Sequence, residues 1–146
     1  MDLSGYNIRV YGILMNNCGE VLLSKEHRFG KKFTKFPGGG HKLGEGLLDG
    51  LKREFKEELG ISIGIVRHFY TTDYFQVSAF DKSHQLISIY YKVESEEAEG
   101  ISNGMQAVDL DGNTEHQFVW KALDQLGVED VTYPIDKLVV ELLLKE

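Results

Sequence analysis

Cysteine is almost absent from this chain of 146 residues: Cys18 is the only one, so no internal disulfide can staple the fold. A reducing compartment is the natural setting for such a sequence, and a cytoplasmic location is the expectation. Proline occurs twice, at Pro37 and Pro134, too rarely for a collagen-like or mucin-like chain. Long apolar runs are missing as well. Stretches such as Leu142-Leu143-Leu144 fall far short of the roughly 20 residues of a membrane helix. Met1 to Gly5 has no basic stretch followed by an apolar one, so no signal peptide is read there. Positive charge is the last scarcity, with 16 Lys and Arg against 23 Asp and Glu, a net charge of −7. An acidic surface repels the phosphate backbone that supplies most non-specific nucleic-acid affinity, so nucleic acid is not the expected main partner. A small phosphate ligand is compatible with that charge if bound cations or a local basic patch offset it.

What is present reads as an ordinary globular domain. Hydrophobic residues make up 42% and charged residues 27% of the chain. The length is that of one core, so residues 1–146 are read as a single domain. Tyr6 to Met15 alternates and then turns wholly apolar, the pattern of a strand entering a core. Asn16-Asn17-Cys18-Gly19 is a turn signal before a second strand beginning at Val21, and the two are expected to form a hairpin. His27 to Lys32 reads as a basic loop, and Phe33 to Phe36 as a short strand stopped by Pro37-Gly38-Gly39-Gly40. Ile61 to Phe80 and Gln85 to Val93 read as strands joined by a turn at Asp81 to His84. Glu94 to Thr114 is acidic and aperiodic, either a functional loop or the cover of an extra strand. Phe118 to Trp120 is a further strand and Ile135 to Leu144 an amphipathic helix. The element order indicates an α/β domain, a mixed sheet with helices packed on it.

The chemistry concentrates between Gly39 and Ile61. Placing Gly46 to Leu59 on a helix at about 100° per residue puts Leu47, Leu51, Phe55, Leu48 and Leu59 on one stripe, with Gly60 at the C-terminal cap position. Lys52, Lys56, Asp49 and Arg53 fall on the solvent face. Glu54, Glu57 and Glu58 fall at the rim of the apolar arc, where unpaired carboxylates cost several kcal/mol each, on the order given by polar burial, and repel one another. A divalent cation with hard oxygen ligands, Mg²⁺ or Mn²⁺, resolves both problems. The plain alternative is a solvated acidic face with Arg53 paired to Glu57 at i,i+4.

This segment resembles the signature of the Nudix hydrolase superfamily, G-x5-E-x7-R-E-U-x-E-E-x-G-U with U bulky and apolar. Gly39, Glu45, Arg53, Glu54, Phe55, Glu57, Glu58, Gly60 and Ile61 fill its nine specified positions within 23 residues. The resemblance implies an α/β/α sandwich with a mixed central sheet, its catalytic helix following the glycine-rich loop. It implies that Glu54, Glu57 and Glu58, with the backbone carbonyl of Gly39, hold Mg²⁺ (or Mn²⁺), while Glu45, Arg53 and Gly60 are structural. The implied reaction is metal-dependent attack of water on phosphorus in a nucleoside diphosphate linked to another moiety, of nucleoside triphosphate or nucleotide-sugar type. By the same resemblance Glu57 or Glu54 is catalytic, with Glu115 as a rival base. Gly50 stands where the family often has Ala, and is expected to loosen the helix by up to about 1 kcal/mol.

Outside that segment the candidates are less specific. Arg28, Lys32 and Phe33 belong to a stretch mixing cations with aromatics, suited to a phosphate and a stacked base or equally to a solvated charge run. Tyr70, Tyr74 and Phe75 suit a base pocket or the core. His116 is expected to be a plain surface or strand histidine. Asp109 to Asn113 fails as a calcium loop, because Thr114 and Trp120 replace the required glycine and glutamate, leaving a turn at Asp111-Gly112-Asn113. The alternative readings are a non-catalytic nucleotide-sensing module on the same fold, and an interaction domain whose acids form ion pairs.

Overall fold

A computed structural model of the chain describes residues 2–146. Strand β1 (Gly5–Leu14) is buried on both faces from Val10 to Leu14, as the unbroken apolar end of its sequence requires. It lies between a parallel neighbour, β6 (His84–Glu94), and a short antiparallel one, β4 (Gly38–Gly40), with β5 (Gly64–Thr71) beyond β6. A second, antiparallel sheet has the order β3 (Lys31–Lys35), β2 (Glu20–Arg28), β8 (Thr114–Ala122), β7 (Met105–Val108).

Helices cover the two sides. On one, Leu51, Phe55 and Leu59 of α1 (Leu47–Leu59) pack with Val10, Leu14, Leu22, Val93 and Phe118. On the other, Ile135, Val139, Val140 and Leu143 of α2 (Pro134–Leu144) pack with Tyr11, Ile13, Val21, Leu23 and Tyr90. The result is the expected α/β/α arrangement. Gly12 lies so close beneath α1 that a Cβ there would come within 2.7 Å of the Phe55 ring. Gly60 caps α1 in the left-handed region, at φ 70°, and its N–H donates to the Lys56 carbonyl.

Several local expectations are corrected. β1 and β2 do not form a hairpin: the turn is real, but the strands part into different sheets after the single bridge Met15–Val21. The mixed sheet is therefore one of two. His27 to Lys32 is not a loop but the end of β2 and start of β3, joined at Phe29-Gly30 with φ values of 48° and 77°, a two-residue hairpin turn. The long strand read over Ile61 to Phe80 stops at Thr71, and the remainder is irregular apart from the bridge Val77–Gln85. Within Glu94 to Thr114 lies the extra strand, β7, after a short 3-10 turn at Ala98–Gly100.

One buried acid sets a stability expectation. Asp136, in the first turn of α2, is buried and accepts a 2.6 Å hydrogen bond from the Tyr90 hydroxyl. Burial pushes its carboxyl up to about 6, against the opposing pull of Tyr90, Lys35 and Arg9. Between the unfolded value and 6 the folded chain therefore binds more protons than the unfolded one, so Asp136 makes stability fall as pH rises through that window. Asp136→Asn keeps an acceptor for Tyr90 and is expected to remove that fall. Urea titrations at pH 4 and pH 7 should show the variant gaining on the parent by up to about 3 kcal/mol at the higher pH, at about 1.4 kcal/mol per pKa unit. Equal pH slopes for the two proteins would refute it.

Candidate functional site

The turn of chain between β4 and α1 must reverse direction and bring carbonyls next to carboxylates, and one guanidinium organises it. Arg53 donates from Nε and Nη2 to the two oxygens of Glu45, at 3.0 and 2.8 Å. Its Nη2 also donates to the Gly40 carbonyl at 3.1 Å, and its Nη1 to Glu54 at 3.1 Å and Glu57 at 3.3 Å. The Arg53 hydrogen bonds, with the Lys42 N–H, hold the Glu45 carboxyl down at about 2. Arg53 is thus half-buried in a knot rather than on the solvent face, and Glu45 with Arg53 ties loop to helix. Gly50 has its own reason: a Cβ there would lie 2.8 Å from Glu45 Oε1, so its bareness lets that carboxylate sit against the helix.

The three helix acids differ in environment. The Glu57 side chain is 30% exposed, Glu54 13% and Glu58 8%. Glu54 lies against the loop, where a Cβ on Gly39 would come within 2.6 Å of its carboxylate. Glu58 makes no hydrogen bond among the described residues; its nearest cation is His116 Nε2 at 3.6 Å. Burial pushes Glu58 well above the usual carboxylate range, although Lys35 and His116 pull the other way.

Beneath the acids runs a network that sequence reasoning did not find. Glu26 and Lys35, on neighbouring strands β2 and β3, form an ion pair of 2.7 Å with side chains only 5% and 4% exposed. Lys35 uses its other two N–H donors on the Phe36 and Gly38 carbonyls, at 3.3 and 3.1 Å. Burial alone would raise Glu26, but Lys35 and His116 outweigh it and hold the carboxyl at about 2. His116, paired with Glu26 across β2 and β8, is buried and not a surface residue. Its Nδ1 meets Ser24 Oγ and Glu26, and its Nε2 meets Asp109 and faces Glu58. Burial lowers its basicity, yet the hydrogen bonds to Asp109 and Glu26 and the field of Glu58 raise its pKa to about 9, making it an imidazolium near neutrality.

Beside this network a cavity of about 520 Å³ opens between the sheets, with Arg9, Tyr11, Arg28, Phe33, Phe80 and Tyr133 among its walls. Phe33 touches Phe80 and Tyr133, each with ring centroids 5.5 Å away, and Arg28 lies over the Phe29 and Phe80 rings. Arg28 and Phe33 are therefore brought together at the cavity. Lys32, one residue out of phase on β3, faces an outer groove that also holds Glu115. Glu115 is exposed and alternates with His116 on β8, so it points away from Glu54, Glu57 and Glu58. Tyr70, Tyr74 and Phe75 are not among the lining residues of that cavity. The turn at Asp111-Gly112-Asn113 is present, closed by Gly112 N–H on the Asp109 carbonyl, and the Asp109 side chain at its start meets His116.

The donor set fits a hard divalent cation: carboxylates at i, i+3 and i+4, one of them buried without a hydrogen bond, against a glycine backbone. Among the described residues, the group of acids and histidine whose ligand atoms all lie within 4.8 Å of one another is Glu58, Asp109 and His116; Glu54 and Glu57 lie outside it.

Comparison with known proteins gives the class. A family model described as NUDIX domain matches residues 5–143, and the chain belongs to that family. The RNA pyrophosphohydrolase of Actinobacillus pleuropneumoniae serotype 5b (strain L20) is 35% identical over 74 residues, which are 51% of this chain and 35% of that protein. The RNA pyrophosphohydrolase of Hamiltonella defensa subsp. Acyrthosiphon pisum (strain 5AT) is 36% identical over 74 residues, 51% of this chain and 44% of its own. Each match spans less than half of the relative's length. The crystal structure of a MutT NUDIX hydrolase from Burkholderia pseudomallei superposes with a TM-score of 0.69 at 19% identity, covering 95% of this chain and 98% of that one. That likeness establishes the fold.

Two substitutions probe the site's construction. Glu26→Gln leaves the buried Lys35 ammonium without its counter-charge and is expected to cost about 3 kcal/mol or more in denaturant unfolding. A loss under about 1 kcal/mol, the range of a surface pair, would contradict the buried-pair account. The Cβ of Gly39→Ala would first meet the movable end of Glu54, so the fold should persist while the carboxylate is displaced. Calorimetric titration with Mn²⁺ should then show weakened binding, and unchanged affinity would separate Gly39 and Glu54 from the cation site.

Proposed function

We propose that the chain is a pyrophosphohydrolase that cleaves a phosphoanhydride bond in a nucleoside diphosphate linked to another group, of nucleoside triphosphate or nucleotide-sugar type. The single observation that carries this reading is the buried, unbonded carboxylate of Glu58 beside Glu54 and Glu57, next to an aromatic and cationic cavity. Glu54, Glu57 and Glu58, with the backbone at Gly39, would hold Mg²⁺ or Mn²⁺. A divalent cation there supplies the positive charge that a pyrophosphate needs and the Lewis acidity that activates water.

The chain's own groups have separate tasks. Glu57 is the most open of the three acids and is steadied by Arg53, which suits it to take the proton of an attacking water, with Glu54 the alternative base. Glu115 faces the outer groove and is left out of this assignment. Phe33, with Phe80 and Tyr133, forms apolar walls on which a base can stack, while Arg28 stands over Phe80 at the same cavity. Lys32 belongs to the outer groove. The partial relatives named RNA pyrophosphohydrolase add a triphosphorylated RNA 5′ end as a further substrate to try.

The test is product analysis by phosphorus NMR on nucleoside triphosphates, nucleotide sugars, dinucleoside polyphosphates, ADP-ribose and a 5′-triphosphorylated oligoribonucleotide, with Mg²⁺ and with chelator. Cleavage at a phosphoanhydride is expected only with the cation, and Glu58→Gln should lose about a hundredfold or more of turnover while keeping its circular dichroism. Mg²⁺ should also raise the melting temperature, by linkage, in the parent more than in the variant. Ligand binding without turnover of any panel member would favour the sensing module, and undiminished turnover by Glu58→Gln would overturn the site.

A further inference from the structure

The cations around the cavity are not equivalent. Lys35 is saturated, with three donors on three acceptors. Arg9 is not. Its Nε donates to the Tyr11 hydroxyl at 2.6 Å, and its four remaining N–H groups have no partner among the described residues. Tyr11 is nearly buried and accepts that bond, and its own O–H donates to none of the described residues. Both side chains line the cavity. Two half-used donors side by side make a site that calls for an acceptor, and the nearby carboxylates are committed: Glu26 to Lys35, Ser24 and His116, and Glu54 to Arg53.

Position supplies the chemistry. On β1, Arg9 is paired with Gly40 of the glycine loop on one side and Ser88 of β6 on the other. Its Nη1 lies 3.9 Å from where a Cβ of Gly40 would stand, and the Gly40 carbonyl is the one that Arg53 holds. Arg9 therefore sits at the seam between the aromatic cavity and the acid-bearing helix. Despite its burial, its basicity is raised, chiefly by Tyr11 and then by Glu26 and Glu54, so it is charged at any working pH. A planar guanidinium with free N–H groups in this place matches the oxygens of a phosphate.

We propose that Arg9, together with Tyr11, binds a phosphate group of the substrate where the cavity meets the Gly38–Gly40 loop, fixing the pyrophosphate between the aromatic walls and the helix acids. This rests on the function proposed above and specifies its substrate contact. Imidodiphosphate, a non-hydrolysable pyrophosphate analogue, serves as probe in calorimetric titrations of the full chain with Mg²⁺. Arg9→Gln is expected to weaken its binding by about tenfold or more, Arg9→Lys by less, and Tyr11→Phe by about two- to fivefold. Nucleosides without phosphate should bind parent and variants alike, and KM for a cleaved nucleotide should rise in Arg9→Gln.

The proposal is overturned if folded Arg9→Gln binds imidodiphosphate as the parent does. It is also overturned if the parent does not bind the probe, or if the variant loses nucleoside affinity equally. Should Arg9→Gln fail to fold, Arg9→Lys and Tyr11→Phe decide the matter in the same titration. Binding of the probe that depends on Arg9, in a protein that cleaves nothing on the substrate panel, would uphold the subsite and overturn the hydrolase reading.

Discussion

The arrangement hangs on where one guanidinium directs its five N–H donors. Arg53 lies on α1, yet its bonds reach the Gly40 carbonyl and both oxygens of Glu45 in the loop, and Glu54 and Glu57 on its own helix. All five donors are used, which fixes the plane of the guanidinium and with it the distance between the glycine loop and the helix acids. A lysine could not do this, because three donors on one nitrogen cannot span five acceptors. Gly50 belongs to the same device. Its cost in helix propensity is real, but a methyl group there would come within 2.8 Å of Glu45 Oε1 and oblige that carboxylate to shift.

The same accounting separates structure from recognition elsewhere in the chain. Lys35 is a cation made structural: buried, paired with Glu26 and filled by two carbonyls. His116 is likewise bound on both nitrogens, linking Glu26 to Asp109 under Glu58. Such groups hold the floor of the site rigid, since removing any one strands a buried partner. Arg9 and Arg28 differ from them: Arg9 uses one donor, on Tyr11, and Arg28 uses none among the described residues, its Nε being buried without a partner. Donors left over at a cavity wall are free to meet a ligand's acceptors.

Most of the architecture was legible because it depends on local signals. The leucine and phenylalanine spacing marks α1, Gly60 marks its end, and the apolar close of β1 marks a strand covered on both sides. The acids of α1 were legible through their angle to the apolar stripe, with Leu48 and Glu57 turning out more exposed than the projection implies. The floor of the site was not legible. Glu26, Lys35 and His116 are charged residues in alternating strands, and alternation assigns such residues to solvent unless their cross-strand partners are known. Those partners are set by pairings over long separations: Ser24 meets His116 across 92 positions. The hairpin expected of β1 and β2 failed for a related reason. A turn signal specifies that the chain reverses, but not that the arms pair, and β1 already has neighbours on both edges in β4 and β6.

Charge follows a consistent logic from the surface inward. The chain carries a net −7, so an anionic substrate gains nothing from the molecule's long-range field and must be held by local charge. The cations that could do this are Arg9 and Arg28, half-buried at the cavity wall. At a low effective dielectric each is worth more than a surface lysine, and each is kept from collapsing onto the acids because those acids already have partners. The acids of α1 present the opposite sign a few residues away, and by themselves they would repel a pyrophosphate. A divalent cation among them reverses that sign. On the proposed reading the site would then offer positive charge from two sources, one permanent in Arg9 and one conditional on the metal, set to hold the two ends of a phosphoanhydride.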